Sequence, residues 1–218
     1  MKNFRKIFAV LLALTLLMGI FVLPTNAADE AEGEEIVARM YLGHKERYSN
    51  MSGHTWIYIE NLTNHSITVG AYTVKKGKGV SCGTYGYQIM DGRGLYYNVE
   101  AWRYKNSALD SYIYLSKDLT QEQLEAVSNK ILYSGTWSYL LNCAYFALGV
   151  WNTVPGNNIA YLGFPFLTQI QMLLKPECSI VGFEMIKAKK SDCFKQIGVG
   201  PDATLVEADP VNPKDLKE

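Results

Sequence analysis

Histidine is scarce in this 218-residue chain, three in all, and no Cys-x-x-C pair occurs anywhere. His44, His54 and His65 stand at no ligand spacing from the cysteines, so no metal and no other cofactor is expected. A basic excess is lacking too. Lysine and arginine number 21, matched by 21 acidic residues. That balance offers no electrostatic footprint for nucleic acid, which is excluded as a partner. Long apolar runs are confined to residues 7–23, and no second run reaches the ~17 residues needed to span a bilayer. Internal repeats and linker-like stretches are absent as well, so one domain is expected.

The apolar run has the surroundings of a leader. Lys2, Arg5 and Lys6 precede it, and Pro24-Thr25-Asn26-Ala27-Ala28 follows, with small residues around a cleavage point after Ala27. An acidic segment over residues 29–35 comes next. This order is that of a secretory signal peptide (residues 1–27) rather than a retained anchor, so the mature chain is expected to be secreted, with no stable membrane span after cleavage. Cleavage leaves 18 basic against 21 acidic residues, about −3 in net charge. About 190 residues suffice for one domain with a substantial core, placed over residues 28–197. Residues 198–218 are polar and proline-bearing, and are expected to be a disordered tail.

Cys82, Cys143, Cys178 and Cys193 all follow the leader. Outside the cell an even number favours pairing; if Cys143 is set aside, Cys178 with Cys193 is the pair closest in sequence, though spacing does not decide it. Asn50, Asn61 and Asn64 head glycosylation-type triplets, relevant only in a eukaryotic secretory route. No signal for oligomeric state is present.

Residue patterns divide the chain into a strand-rich first part and a helical second part. Residues 36–42, 55–59, 66–74, 80–87, 95–104 and 111–115 are rich in β-branched and aromatic residues and read as strands, with a turn at residues 75–79. Thr120-Gln121-Glu122-Gln123 is a capping box opening a helix to about residue 132. Further helices are expected from Cys143 to about residue 151 and over residues 166–174, then a returning strand over residues 180–186. The fold class is α+β, an antiparallel sheet packed on a few helices.

Cys143 lies where the loop ending Tyr139-Leu140-Leu141-Asn142 turns into the apolar helix Ala144-Tyr145-Phe146-Ala147. Asn142 is a suitable N-cap, and a helix N-terminus stabilises a thiolate. Far upstream, Gly53-His54-Thr55-Trp56 presents a histidine at the head of a strand, the candidate general base. The candidate third partner is Glu100, in Val99-Glu100-Ala101, because a carboxylate among apolar neighbours needs a partner and an imidazole N–H supplies one. Asn98, on the same strand face, is the reserve. Plainer roles compete for each residue: a core cysteine, a loop histidine and a solvent-facing glutamate.

Gly53-His54-Thr55-Trp56-Ile57-Tyr58, then Val99-Glu100-Ala101, then Asn142-Cys143-Ala144-Tyr145-Phe146 resembles the circularly permuted papain-like thiol hydrolases. That is the permuted NlpC-like group, which includes the lecithin:retinol acyltransferase-like enzymes. The resemblance spans residues 53–151 and implies a permuted papain-like fold with the catalytic cysteine at a helix N-terminus. It makes Cys143 the nucleophile, His54 the base and Glu100 the orienting residue. The stretch from Ser66 to Gly86 departs from the pattern, which leaves His65 or Glu60 open as the third partner. The implied chemistry is a thiol protease or amidase reaction through a thioester. Its substrate would be a peptide, amide or acyl compound outside the cytoplasm, cell-wall peptide being one candidate. The backbone N–H of Cys143 would hold the oxyanion, with Tyr139 as candidate side-chain donor. Two other readings stand beside this one: a binding or toxin-like module on the same fold, and a β-rich adhesion or structural domain.

Overall fold

The structure, a computed structural model, describes residues 34–47, 52–86, 91–105, 112–180 and 183–211. The leader assigned to residues 1–27 and the last seven residues of the tail lie outside the described residues. Strands β1 (Ala38–Arg47), β2 (Ser52–Asn61), β3 (Ile67–Val69), β4 (Tyr72–Val74), β5 (Gly79–Tyr85), β6 (Gly94–Tyr97), β7 (Ile113–Leu119), β8 (Phe194–Ile197) and β9 (Thr204–Glu207) form two sheets. The larger has the order β7-β1-β2-β5-β6-β8-β9 with every neighbouring pair antiparallel, and β3 with β4 is a separate hairpin. Helices α1 (Val99–Lys105), α2 (Gln121–Leu132), α3 (Cys143–Trp151) and α4 (Pro165–Leu173) complete an α+β fold. No helix among the described residues is long and apolar enough to cross a membrane.

Period-two alternation distributes the strand side chains over two unlike faces. Met40, Leu42, Ile57, Ile59, Val80 and Cys82 join the core that α2 and α3 close with Val127, Ile131, Ala147 and Val150. The intervening residues Tyr41, Trp56 and Tyr58 face the other way and pack with Ala101 of α1. Phe183 stacks on Tyr41 there at 3.7 Å between ring centroids. The capping box at α2 forms as its residue types require: Thr120 Oγ1 accepts from the Gln123 N–H, and Gln123 Oε1 accepts from the Thr120 N–H.

The sheet is not continuous along its whole length. β2 pairs with β5 only from Ile57↔Cys82 to Glu60↔Gly79. Beyond Ile57, β2 continues beside β1 down to Arg47↔Ser52, while β5 continues beside β6 to Tyr85↔Gly94. The two strands therefore part, and a wedge opens in the middle of the sheet. α3 packs against both of them.

Several expectations are corrected. The strand expected over residues 95–104 stops at Tyr97. Asn98 has φ 65°, a left-handed conformation that asparagine tolerates better than most residues, and it turns the chain into α1. Glu100 is thus in the first turn of a helix rather than on a strand. Residues 66–74 form the β3–β4 hairpin over α2, and β5 belongs to the main sheet. The returning strand expected over residues 180–186 is not seen among the described residues, where the nearest backbone pairing with the sheet is the isolated bridge Tyr114↔Ser179. The return is made later, by β8. The tail from Gly198 carries β9, which pairs with β8 after a turn through Gly198 and Gly200, at φ 76° and 66°. No bridge joins Cys178 to Cys193: all four cysteines are free, and the buried Cys193 thiol donates to the Asn98 carbonyl at 3.5 Å. Asn61 is buried and donates to the carbonyls of His65 and Val74, which removes it as a glycosylation acceptor.

Candidate active site

Asn142 begins α3 from an extended conformation, and its side-chain oxygen accepts from the N–H groups of Ala144 and Tyr145 at 3.0 and 3.3 Å. That cap leaves Cys143 as the first helical residue, 7% exposed, at the positive end of the helix. Asn142 also donates to the carbonyls of Tyr139 and Gly163, each at 3.3 Å, so one side chain ties two loops to the helix start. Asn142→Ala is expected to cost about 1 kcal/mol of stability. It should also slow thiol alkylation, and thermal unfolding with iodoacetamide labelling checks both effects.

The nucleophile and its base come from opposite faces of the sheet. Cys143 is delivered by a helix on the α2–α4 face, whereas His54 alternates in β2 with Trp56 and Tyr58, which point to the α1 face. They meet in the wedge, where imidazole and thiol are near enough to set each other's ionisation. The sulfur also lies 3.8 Å from the Gly53 carbonyl and receives the N–H groups of Thr55 and Ala144. The Thr55 amide lies beyond the last β2–β5 pair, where a sulfur takes the place of a strand partner.

His54 Nε2 lies 2.8 Å from Glu100 Oε1, which leaves Nδ1 for the sulfur. The imidazole is held between Trp56, with ring centroids 5.7 Å apart and planes at 16°, and Tyr85, at 4.5 Å. Glu100 is wholly buried, and both of its oxygens accept from neighbours: Tyr85 donates to Oε1 at 2.7 Å and Ser81 to Oε2 at 2.7 Å. A Cβ built on Gly83 would sit 2.0 Å from Glu100 Oε1 and 3.2 Å from His54 Nε2. Only glycine leaves room for the pair.

These contacts determine charge. Burial opposes ionisation of all three groups, and mutual pairing overrides it. Burial pulls the His54 pKa down, but the hydrogen bonds and charges of Cys143 and Glu100 raise it to about 9. Burial pushes the Cys143 thiol up, but His54 and the backbone N–H groups of Thr55 and Ala144 bring it below the ordinary value. Burial likewise works against the Glu100 carboxylate, and His54, Tyr85 and Ser81 hold it below the usual range. Together these contacts favour a thiolate–imidazolium pair backed by a carboxylate over the neutral pair.

The structure therefore brings Cys143, His54 and Glu100 together. The alternatives for the third partner lie elsewhere: Asn98 bonds to the Asp192 carbonyl, Glu60 accepts from Tyr41, and exposed His65 contacts Asn64. Tyr139, the candidate side-chain donor to the oxyanion, lies in the loop before α3. Its side chain is 79% exposed with its ring against Trp137. Tyr161 feels the sulfur's charge, its pKa raised by burial and then by Cys143, and so to a lesser degree does Tyr85, raised first by burial and Glu100. The Tyr161 hydroxyl donates to the Leu140 carbonyl.

Sequence reasoning missed Ser81, Gly83 and Tyr85. Their signal was available: they occupy alternate positions of one strand, opposite in facing to Val80 and Cys82. It also missed His44, buried with Nδ1 2.9 Å from Thr55 Oγ1 and Nε2 without a partner behind Gly53. Burial and the nearby His54 charge lower its pKa to about 4, so it stays neutral. No group of three His, Cys, Asp or Glu residues suited to a metal occurs among the described residues. No family model, no curated protein and no solved structure matches this chain.

Proposed function

We propose that this protein is a cysteine hydrolase, a peptidase or amidase, working through a thioester acyl-enzyme. The reading is supported above all by the line Cys143–His54–Glu100 at a capped helix N-terminus. The Cys143 thiolate attacks a carbonyl carbon, and the N–H at the start of α3 faces the developing oxyanion. As the intermediate collapses, His54 gives its proton to the leaving nitrogen or oxygen, and the acyl group stays on sulfur. His54 then takes a proton from water, whose oxygen attacks the thioester. The acid departs, and the thiolate–imidazolium pair is restored. Glu100 holds the imidazole in one orientation throughout. A permuted papain-like arrangement, with the base before the nucleophile in the chain, fits this geometry. The leader-like N-terminus supports action outside the cytoplasm, on peptide, amide or acyl substrates.

Intact-mass spectrometry with an activated ester tests the chemistry. A transient acyl adduct located at Cys143 is expected, and its absence across several ester and amide donors would sink the proposal. The pH profile follows from the charges. Alkylation of Cys143 should fall on acidification with a midpoint below that of an ordinary thiol. Turnover also needs the His54 proton, so it should decline as pH rises through about 9. Rate measurements from acid to alkaline pH should give a bell for turnover and a single rise with pH for alkylation.

A further inference from the structure

We infer that the loops flanking Cys143, together with the outer face of α4, form a surface that docks on an uncharged lipid bilayer. The inference goes beyond the proposed chemistry and does not depend on it.

No Asp, Glu, Lys, Arg or His occurs between Lys130 and Lys175, although 19% of the whole chain is Asp, Glu, Lys or Arg. The stretch supplies α3, α4 and the loops around the thiol. Its apolar residues are not all inside. Leu140 is 77% exposed, Phe164 63% and Leu174 78%, with Tyr139, Ile170 and Leu173 exposed beside them.

α4 is turned inside out. Helical spacing puts Thr168 and Met172 on one side, and both are buried. The opposite side carries Phe166, Ile170, Leu173 and Leu174, the last three exposed. A nine-residue helix that buries a threonine while it and its C-cap show water an isoleucine and two leucines has an apolar face turned toward a partner.

The patch is continuous with the site. Asn142 bonds to Gly163, the Tyr161 hydroxyl donates to Leu140, and Tyr145 meets Tyr161 edge-on at 5.2 Å. Both loops therefore form one rim beside Cys143, and Phe164 joins that rim to α4.

Two observations favour a bilayer over a protein. The stretch offers no charge of either sign to fix a protein partner's register. Tyr139, Tyr145, Tyr161 and Trp137 stand in the same stretch as the aliphatic residues, each ring with one polar tip, the residue types suited to a membrane–water boundary.

The test uses the full chain carrying Phe164→Trp, with Leu140→Trp as a second reporter, and phosphatidylcholine vesicles with brominated acyl chains. Quenching of the introduced indole, read as the difference from the parent protein, is expected equally at low and high salt. Leu140→Ser with Leu174→Ser should weaken partitioning about ten-fold or more. Cys143→Ser should bind vesicles as the parent does, so failure of the hydrolase reading leaves this result standing. Vesicle binding without quenching at either reporter would show attachment through another part of the chain and overturn the inference. Absence of binding, or shielding of the indole that grows with protein concentration without lipid, overturns it too, the latter in favour of a second copy.

Discussion

Cys143→Ser is expected to abolish thiol labelling at this site and all turnover, while shifting stability by about 1 kcal/mol or less. The hydroxyl is close in volume to the thiol, and polar partners already surround the sulfur: the Gly53 carbonyl and the N–H groups of Thr55 and Ala144. A core cysteine would behave in the opposite way. Serine in an apolar pocket would cost about 1–3 kcal/mol with nothing lost in reactivity. Thermal unfolding and iodoacetamide labelling, run on the same variant, separate the outcomes. Lost stability with retained labelling of Cys143 in the parent at only an ordinary thiol's rate would end the catalytic reading.

Gly83→Ala is expected to be nearly as damaging to activity, although residue 83 carries no chemistry. Its methyl group would sit 2.0 Å from Glu100 Oε1, a separation no real pair of atoms adopts. Glu100 cannot retreat cheaply, because Ser81 and Tyr85 hold both of its oxygens. The imidazole or the carboxylate must shift by an ångström or so, and misplacement of that size costs about 100-fold in rate. The same variant should lose stability, since a buried carboxylate parted from its donors keeps its desolvation penalty. Steady-state kinetics with a chemical-denaturation curve measures both. A variant with parental kcat would show that the His54–Glu100 contact is dispensable.

The candidate site was more legible in the sequence than the fold that holds it. Asn142 before Cys143 is a local signal, because capping is decided within three residues, and α3 starts where that signal puts it. The capping box at Thr120 is equally local. Residues 95–104 defeated the same reasoning. Apolar alternation continues through Tyr96, Tyr97 and Val99, and the change from strand to helix turns on one left-handed residue, Asn98. β8 and β9 were missed because short strands at a sheet margin carry little hydrophobic signal: Lys195 and Glu207 sit among their residues. The wedge between β2 and β5 was not readable at all. It depends on where two strands stop pairing, a property of register between distant segments. The surroundings of Glu100 depend on that register too, which is why Ser81, Gly83 and Tyr85 went unrecognised while His54 and Cys143 did not.

The wedge has a cost that the nucleophile helix offsets. A strand margin with unpaired N–H and C=O groups is an invitation to any other extended chain, and proteins normally confront that hazard only at the outer strands of a sheet. Here β2 and β5 create two such margins facing each other in the interior, past Ile57 and Cys82. The start of α3 fills the space between them, and its first sulfur occupies the Thr55 amide. The element that carries the chemistry is therefore also the stopper that keeps foreign strands out of the sheet. Variants that loosen the start of α3 should become prone to aggregation as well as inactive, and the two defects should appear together.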